Sequence, residues 1–108
     1  MDSRTVLLIE DSPTEATLAR AAFLLSGVHV AQSSEAPGLV VLGKSALTSY
    51  RGELKAPVIA IVPNVSREEK QEALAAGVRA VYERPKTWEG YAQLVARVVD
   101  EWLPTRKD

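Results

Sequence analysis

Two adjacent carboxylates, Glu10 and Asp11, follow the apolar run of residues 6–9 and precede a helix start at Ser12. In an open α/β sheet, ligands bind outside the carboxyl ends of the strands. Paired carboxylates at that place suit a hard cation such as Mg²⁺, which takes oxygen ligands. Acidic residues also favour a helix N-terminus, because the helix dipole is positive at that end. From these two residues alone, a cation site and a simple contact with the helix dipole are equally good interpretations.

A second pattern covers residues 38–45, which read Gly-Leu-Val-Val-Leu-Gly-Lys-Ser and fit the phosphate-binding motif G-x-x-x-x-G-K-[ST]. In that motif the four middle residues form a loop whose amides turn toward phosphate. Leu-Val-Val-Leu is instead typical of a buried strand, and the helix behind it is short. We therefore expect a strand here. A small-ligand or nucleotide-binding domain that uses the crevice at the strand ends is the alternative function.

Composition excludes several kinds of chemistry. The chain has no cysteine and a single histidine, His29, so a disulfide framework, a thiol nucleophile and a histidine metal centre are ruled out or hard to assemble. Thirteen Lys and Arg against fourteen Asp and Glu give a net charge of −1, which lacks the basic field on which most nucleic-acid binding depends. We expect no enzyme activity, no cofactor and no nucleic-acid partner.

The length of 108 residues predicts one domain, residues 1–108, with a frayed tail at 104–108. Near its N-terminus the chain has only four consecutive apolar residues, 6–9, too few for a signal peptide or a membrane span. We therefore expect a cytoplasmic protein without a membrane partner.

Short apolar runs alternate with longer amphipathic stretches along the chain. Near-continuous apolar runs are typical of parallel strands that are buried on both faces. Capping residues Ser12, Ser66 and Thr87 predict helix starts, and Gly27 and Gly77 predict helix ends. The predicted strands are residues 6–9, 28–31, 39–42, 58–62 and 80–82, and the predicted helices are residues 12–26, 45–51, 66–77 and 87–102.

The connection between the second and third strands is unusually short. Only residues 33–37 lie clearly between the two runs, whereas a parallel crossover normally takes a dozen or more residues and holds a helix. Five residues span roughly 17 Å when fully extended, which leaves no room for a helix. Either the crossover is bare, or the second strand runs antiparallel to the others.

The order of these segments resembles the receiver domain of bacterial two-component response regulators. The resemblance covers nearly the whole chain, and each segment falls on the expected strand or helix. It implies a flavodoxin-like, three-layer α/β domain with a five-stranded, mostly parallel sheet, in which the family's second helix is missing and its third is short. The segments that carry the resemblance are residues 6–13, 36–43, 56–62 and 75–85.

In the receiver family, a magnesium ion at the acidic pair helps an aspartate at the end of the third strand to accept a phosphoryl group. Glu10 and Asp11 match the acidic pair, but the other positions depart from the pattern. Without the aspartate there is no nucleophile for phosphoryl transfer. The departures are Gly43 at the phosphoacceptor position, Val62 at the Ser/Thr position, Val81 at the aromatic switch position and Arg84 at the Lys position, while Pro85 keeps the proline that is cis in the family.

The resemblance, with these departures, implies a degenerate pseudo-receiver that acts as a protein–protein interaction module in signalling without phosphorylation. We expect Arg84 to pair with Asp11 or Glu10 in place of a metal ion, so that magnesium binds at most weakly at Asp11. The missing helix is expected to leave one sheet face open near Val28, Val30 and Val40. We expect the partner there to be a protein, most simply a second copy in a homodimer.

Overall fold

The computed structural model describes residues 5–31, 37–50 and 56–103, which include every strand and helix that the sequence predicts. The predicted tail at 104–108 and Arg51, the last residue of the predicted helix 45–51, lie outside the described residues. The elements are β1 (Thr5–Ile9), α1 (Pro13–Leu25), β2 (His29–Ala31), β3 (Leu39–Leu42), α2 (Lys44–Ser49), β4 (Val58–Val62), α3 (Arg67–Ala75), β5 (Ala80–Glu83) and α4 (Trp88–Trp102).

The five strands form one sheet in the order β2-β1-β3-β4-β5, and every neighbouring pair is parallel. Val6 of β1 is in register with Val30 on one side and with Leu39 on the other. Of the two alternatives for β2, the parallel one is therefore correct. Only residues 32–38 separate β2 from β3 in the sequence, fewer than the dozen or more of a usual parallel crossover, and residues 32–36 lie outside the described residues.

The first face of the sheet is covered by α1 and α4. Phe23 of α1 and Val95 and Val98 of α4 are fully buried against it, beside Val6 and Ile59 of the strands. Both helices begin at predicted caps, because the Ser12 hydroxyl accepts a hydrogen bond from the Glu15 amide and the Thr87 hydroxyl accepts one from the Gly90 amide. The two longest helices thus pack on this face.

The second face is covered by α2 and α3, which are shorter. Leu47 and Tyr50 are buried there against Val40, Val58 and other strand residues. Helix α3 begins with the predicted capping box, in which Ser66 and Glu69 each accept a hydrogen bond from the other's backbone amide. It ends at Ala75, and Gly77, which follows the Ala76 cap, has a φ of 110° in the left-handed region that favours glycine.

The expected open area near Val28, Val30 and Val40 is not where the sequence placed it. Val28 is 2% exposed because the chain turns beneath α1, and Val40 is 0% exposed because the second-face helices reach over the middle of the sheet. Val30 points to the first face and packs with that cluster. On the second face, the apolar exposure among the described residues lies instead on β1, where Leu7 is half-buried and Ile9 is 36% exposed.

Candidate functional site

The candidate site lies at the carboxyl edge of the sheet, where the parallel strands all end. Ile9 pairs with Leu42 in register, and the Gly43 amide donates a hydrogen bond to the Ile9 carbonyl at 2.8 Å. On the other side, the Arg84 amide donates to the Val62 carbonyl at 2.7 Å. The strand ends that carry the acidic pair, Gly43, Val62 and Arg84 are therefore neighbours along one edge, as the topology requires.

The Glu10 side chain fills the space above Gly43. Its Oε2 accepts a hydrogen bond from the Ser12 amide at 2.9 Å, which bends the carboxylate back over the strand end. A Cβ built on Gly43 would overlap the Glu10 carboxylate, so Glu10 and a side chain at position 43 compete for one volume. Asp11, the other half of the acidic pair, is exposed. The pair is thus split, and one carboxylate already has a backbone partner.

Arg84 pairs with Glu15, so the expected pairing with Asp11 or Glu10 is wrong. Its Nε lies 2.8 Å from the Glu15 Oε1, and its Nη1 donates to the Pro85 carbonyl at 3.2 Å. The buried Nε makes no directed hydrogen bond to any described residue, so the contact with Glu15 is an ion pair by distance. Glu10 is occupied by the Ser12 amide and Asp11 faces solvent, which leaves Glu15 of α1 as the carboxylate beside Arg84.

The Arg84–Pro85 bond is trans, as are all peptide bonds among the described residues, so the cis bond that the family resemblance implies at Pro85 is absent. The trans isomer is the lower in free energy for an X–Pro bond by about 0.5–1 kcal/mol. Here Arg84 is directed to Glu15 of α1 and not toward position 43 at the end of β3.

Tyr91 of α4 lies under Arg84. The guanidinium carbon is 5.9 Å from the centre of the Tyr91 ring, and the Trp88 ring meets the same ring edge-on at 6.4 Å. Burial, reinforced by the charge of Glu15, raises the pKa of Tyr91 to about 12. Arg84, Glu15 and the two rings thus join the start of α4 to α1, next to the strand ends.

Lys44 is a residue that the sequence analysis treated only as part of the phosphate-binding pattern. Its Nζ donates to the Asn64 carbonyl at 2.7 Å and to the Glu69 Oε1 at 3.3 Å. Hydrogen bonds from the Ser66 amide and from Lys44 lower the pKa of Glu69 below its usual value. Lys44 therefore ties the start of α2 to the β4–α3 connection, a contact that no short-range sequence signal could reveal.

The other two predicted site positions, Val62 and Val81, lie in apolar surroundings. Val62 is fully buried, and Val81 is half-buried against the second-face cluster. Tyr82, one residue later, points to the first face, where its hydroxyl accepts a hydrogen bond from the Trp102 indole at 3.0 Å. The only tyrosine near the switch position is therefore on the wrong side of the sheet to serve it.

Two further sequence observations concern ligands. Residues Leu39–Leu42 form a fully buried strand, so the phosphate-binding pattern at 38–45 is not a loop. Within the described part of the chain, no group of three or more His, Cys, Asp or Glu side chains could hold a metal ion. His29 is exposed on the second face, since its neighbour Val30 in β2 packs on the first face.

Searches against known proteins give matches in structure only. No protein-family model and no curated protein matches the sequence. A response regulator of red-light signalling in R. palustris superposes with a TM-score of 0.75 over 95% of this chain and 96% of its own, at 16% identity. A phosphorylated cyanobacterial phytochrome response regulator gives 0.76 over 95% and 96%, also at 16% identity. An orphan response regulator of H. pylori gives 0.66 over 87% and 92%, at 22% identity.

The chain has the fold of a receiver domain. The superpositions cover nearly the full length of both chains, so the resemblance in fold that the sequence implied is confirmed, including the five-stranded sheet. In this receiver fold the described residues contain four helices, with none of the described residues between β2 and β3 helical. None of the described helices is both long and apolar enough to cross a membrane.

Proposed function

We propose that the chain is a pseudo-receiver, a receiver-fold domain that works in two-component-type signalling through contacts with other proteins and without phosphorylation. The observation that carries this proposal is the strand end at Gly43. Glycine offers no nucleophile, and the volume in which an acceptor side chain would begin is filled by the carboxylate of Glu10.

The surroundings of Gly43 support the same proposal. A transferred phosphoryl group needs positive charge and hydrogen-bond donors around its oxygens. Arg84 is directed to Glu15, Lys44 is directed to Asn64 and Glu69, and Val62 has no donor. Arg84 and Lys44 are therefore both engaged in contacts between elements of the chain itself.

Incubation with acetyl phosphate and Mg²⁺ tests the proposal directly. We expect the intact mass of the protein to stay unchanged, because no side chain at the end of β3 can form an acyl phosphate. A receiver domain with an aspartate at this strand end, treated in the same tube, is the positive control. A stable gain of one phosphoryl group by this chain would contradict the proposal.

The variants Gly43→Asp and Gly43→Asn distinguish the effect of adding a nucleophile at position 43 from the effect of adding a side chain of the same size. Both must displace the Glu10 carboxylate, but only Gly43→Asp supplies a nucleophile. We expect Gly43→Asp treated with acetyl phosphate to show no change in the amide NMR signals around Val62 and Val81, because these side chains cannot bind a phosphoryl group. Shifts at both positions that are absent in Gly43→Asn would show that switching needs only the nucleophile.

The proposed partners are proteins, and the proposed location is the cytoplasm, where two-component receivers act. A homodimer is the simplest assembly for such a module. The alternative, a nucleotide or small-ligand site, is not favoured by any described contact, because its motif is a buried strand. We likewise propose no tightly bound metal ion: Glu10 is engaged by the Ser12 amide, and Asp11 alone is a weak magnesium ligand.

A further inference from the structure

We draw no further inference here: the strongest candidate, the groove between α2 and α3 on the second face, which is lined by the buried side chains of Leu47, Tyr50 and Ala73 with Glu72 beside them, carries no proposal because nothing in the structure shows what covers it and residues 51–55, which follow Tyr50 directly, lie outside the described residues.

Discussion

The two faces of the sheet are built differently. The first face is covered by helices of 13 and 15 residues, α1 and α4, and the second by helices of 6 and 9 residues, α2 and α3. The first face holds Phe23, the largest fully buried side chain among the described residues. On the second face, the capping box at Ser66 and the Lys44 contacts add polar links at the ends of the shorter helices. The first face therefore has the larger apolar cluster of the two, while both faces have polar contacts at helix ends.

This difference coincides with the changes at the proposed site. Val62 and Val81, the proposed switch positions, pack in the second-face cluster. The Tyr91 and Arg84 cluster, in contrast, contacts α1 on the first face. In this chain the face with the shortened helix is also the face whose proposed switch positions are apolar. A pseudo-receiver of the proposed kind, which does not switch, can keep long helices on the first face and short ones on the second.

The largest expected effect is the loss of packing on the first face. Phe23→Ala removes a fully buried ring beneath α1 and is expected to lower the free energy of unfolding by about 3–5 kcal/mol. Leu47→Ala on the six-residue α2 is expected to cost about 2–3 kcal/mol, since a short helix can move into part of the cavity. Urea unfolding of both variants measures the difference. Equal losses would mean that the two faces contribute alike.

Alkaline pH is expected to act on the first face. Because the pKa of Tyr91 is raised from 10.0 to about 12, its contribution to the free energy of unfolding is fully present below pH 10 and is lost as the pH rises toward 12. The free energy of unfolding is expected to fall by about 2–3 kcal/mol at the upper end of this pH range. Tyr91→Phe is expected to remove this dependence, while Tyr82→Phe keeps it. Urea unfolding across this range is the measurement, and an identical pH profile for wild type and Tyr91→Phe would contradict the expectation.

Acid pH is expected to act, more weakly, on the second face. The pKa of Glu69 is lowered in the folded protein. Its contribution to the free energy of unfolding is therefore present above pH 4.5, and it is lost as the pH falls through the pKa that Glu69 has in the folded state. Ser66→Ala removes one half of the capping box and is expected to cost about 1 kcal/mol. Glu69→Gln should flatten the acid side of the stability profile.

Thr87→Ala is the matched control for the acid prediction. Thr87 caps α4 through a hydroxyl alone, without a carboxylate in return, so its loss is expected to be similar in size but unchanged by acid. If Thr87→Ala altered the acid profile as much as Glu69→Gln does, the acid dependence could not be assigned to the Glu69 carboxylate.

Much of the fold could be predicted from the sequence because its signals are local. The capping residues Ser12 and Ser66 determine where two helices begin, and the unbroken apolar run of β4 indicates a strand buried on both faces. The direction of β2 was not predictable, because five connecting residues allow two topologies. Pairing of β2 with β1 settles it, and such long-range pairing leaves no mark in the neighbouring residues.

The site was predicted in position but not in its contacts. The sequence placed Glu10, Gly43, Val62 and Arg84 at one edge of the sheet, since parallel strands end together. It could not show that Arg84 reaches Glu15, because that contact joins residues far apart in the chain. The overlap between Glu10 and the space above Gly43 was equally hidden, because it depends on the hydrogen bond from the Ser12 amide.

The burial of β4 through its last residue has a consequence for the evolution of this chain. Val62 is 0% exposed in an apolar cluster, and among the described residues no polar or charged residue is buried. A hydroxyl introduced at Val62 would have to leave water, at a cost of about 1–3 kcal/mol unless it finds a partner. It would have no selective benefit before a nucleophile also appeared at position 43. Each of the two substitutions is unfavourable without the other, so under the proposed function phosphorylation would be difficult for this chain to acquire by single substitutions.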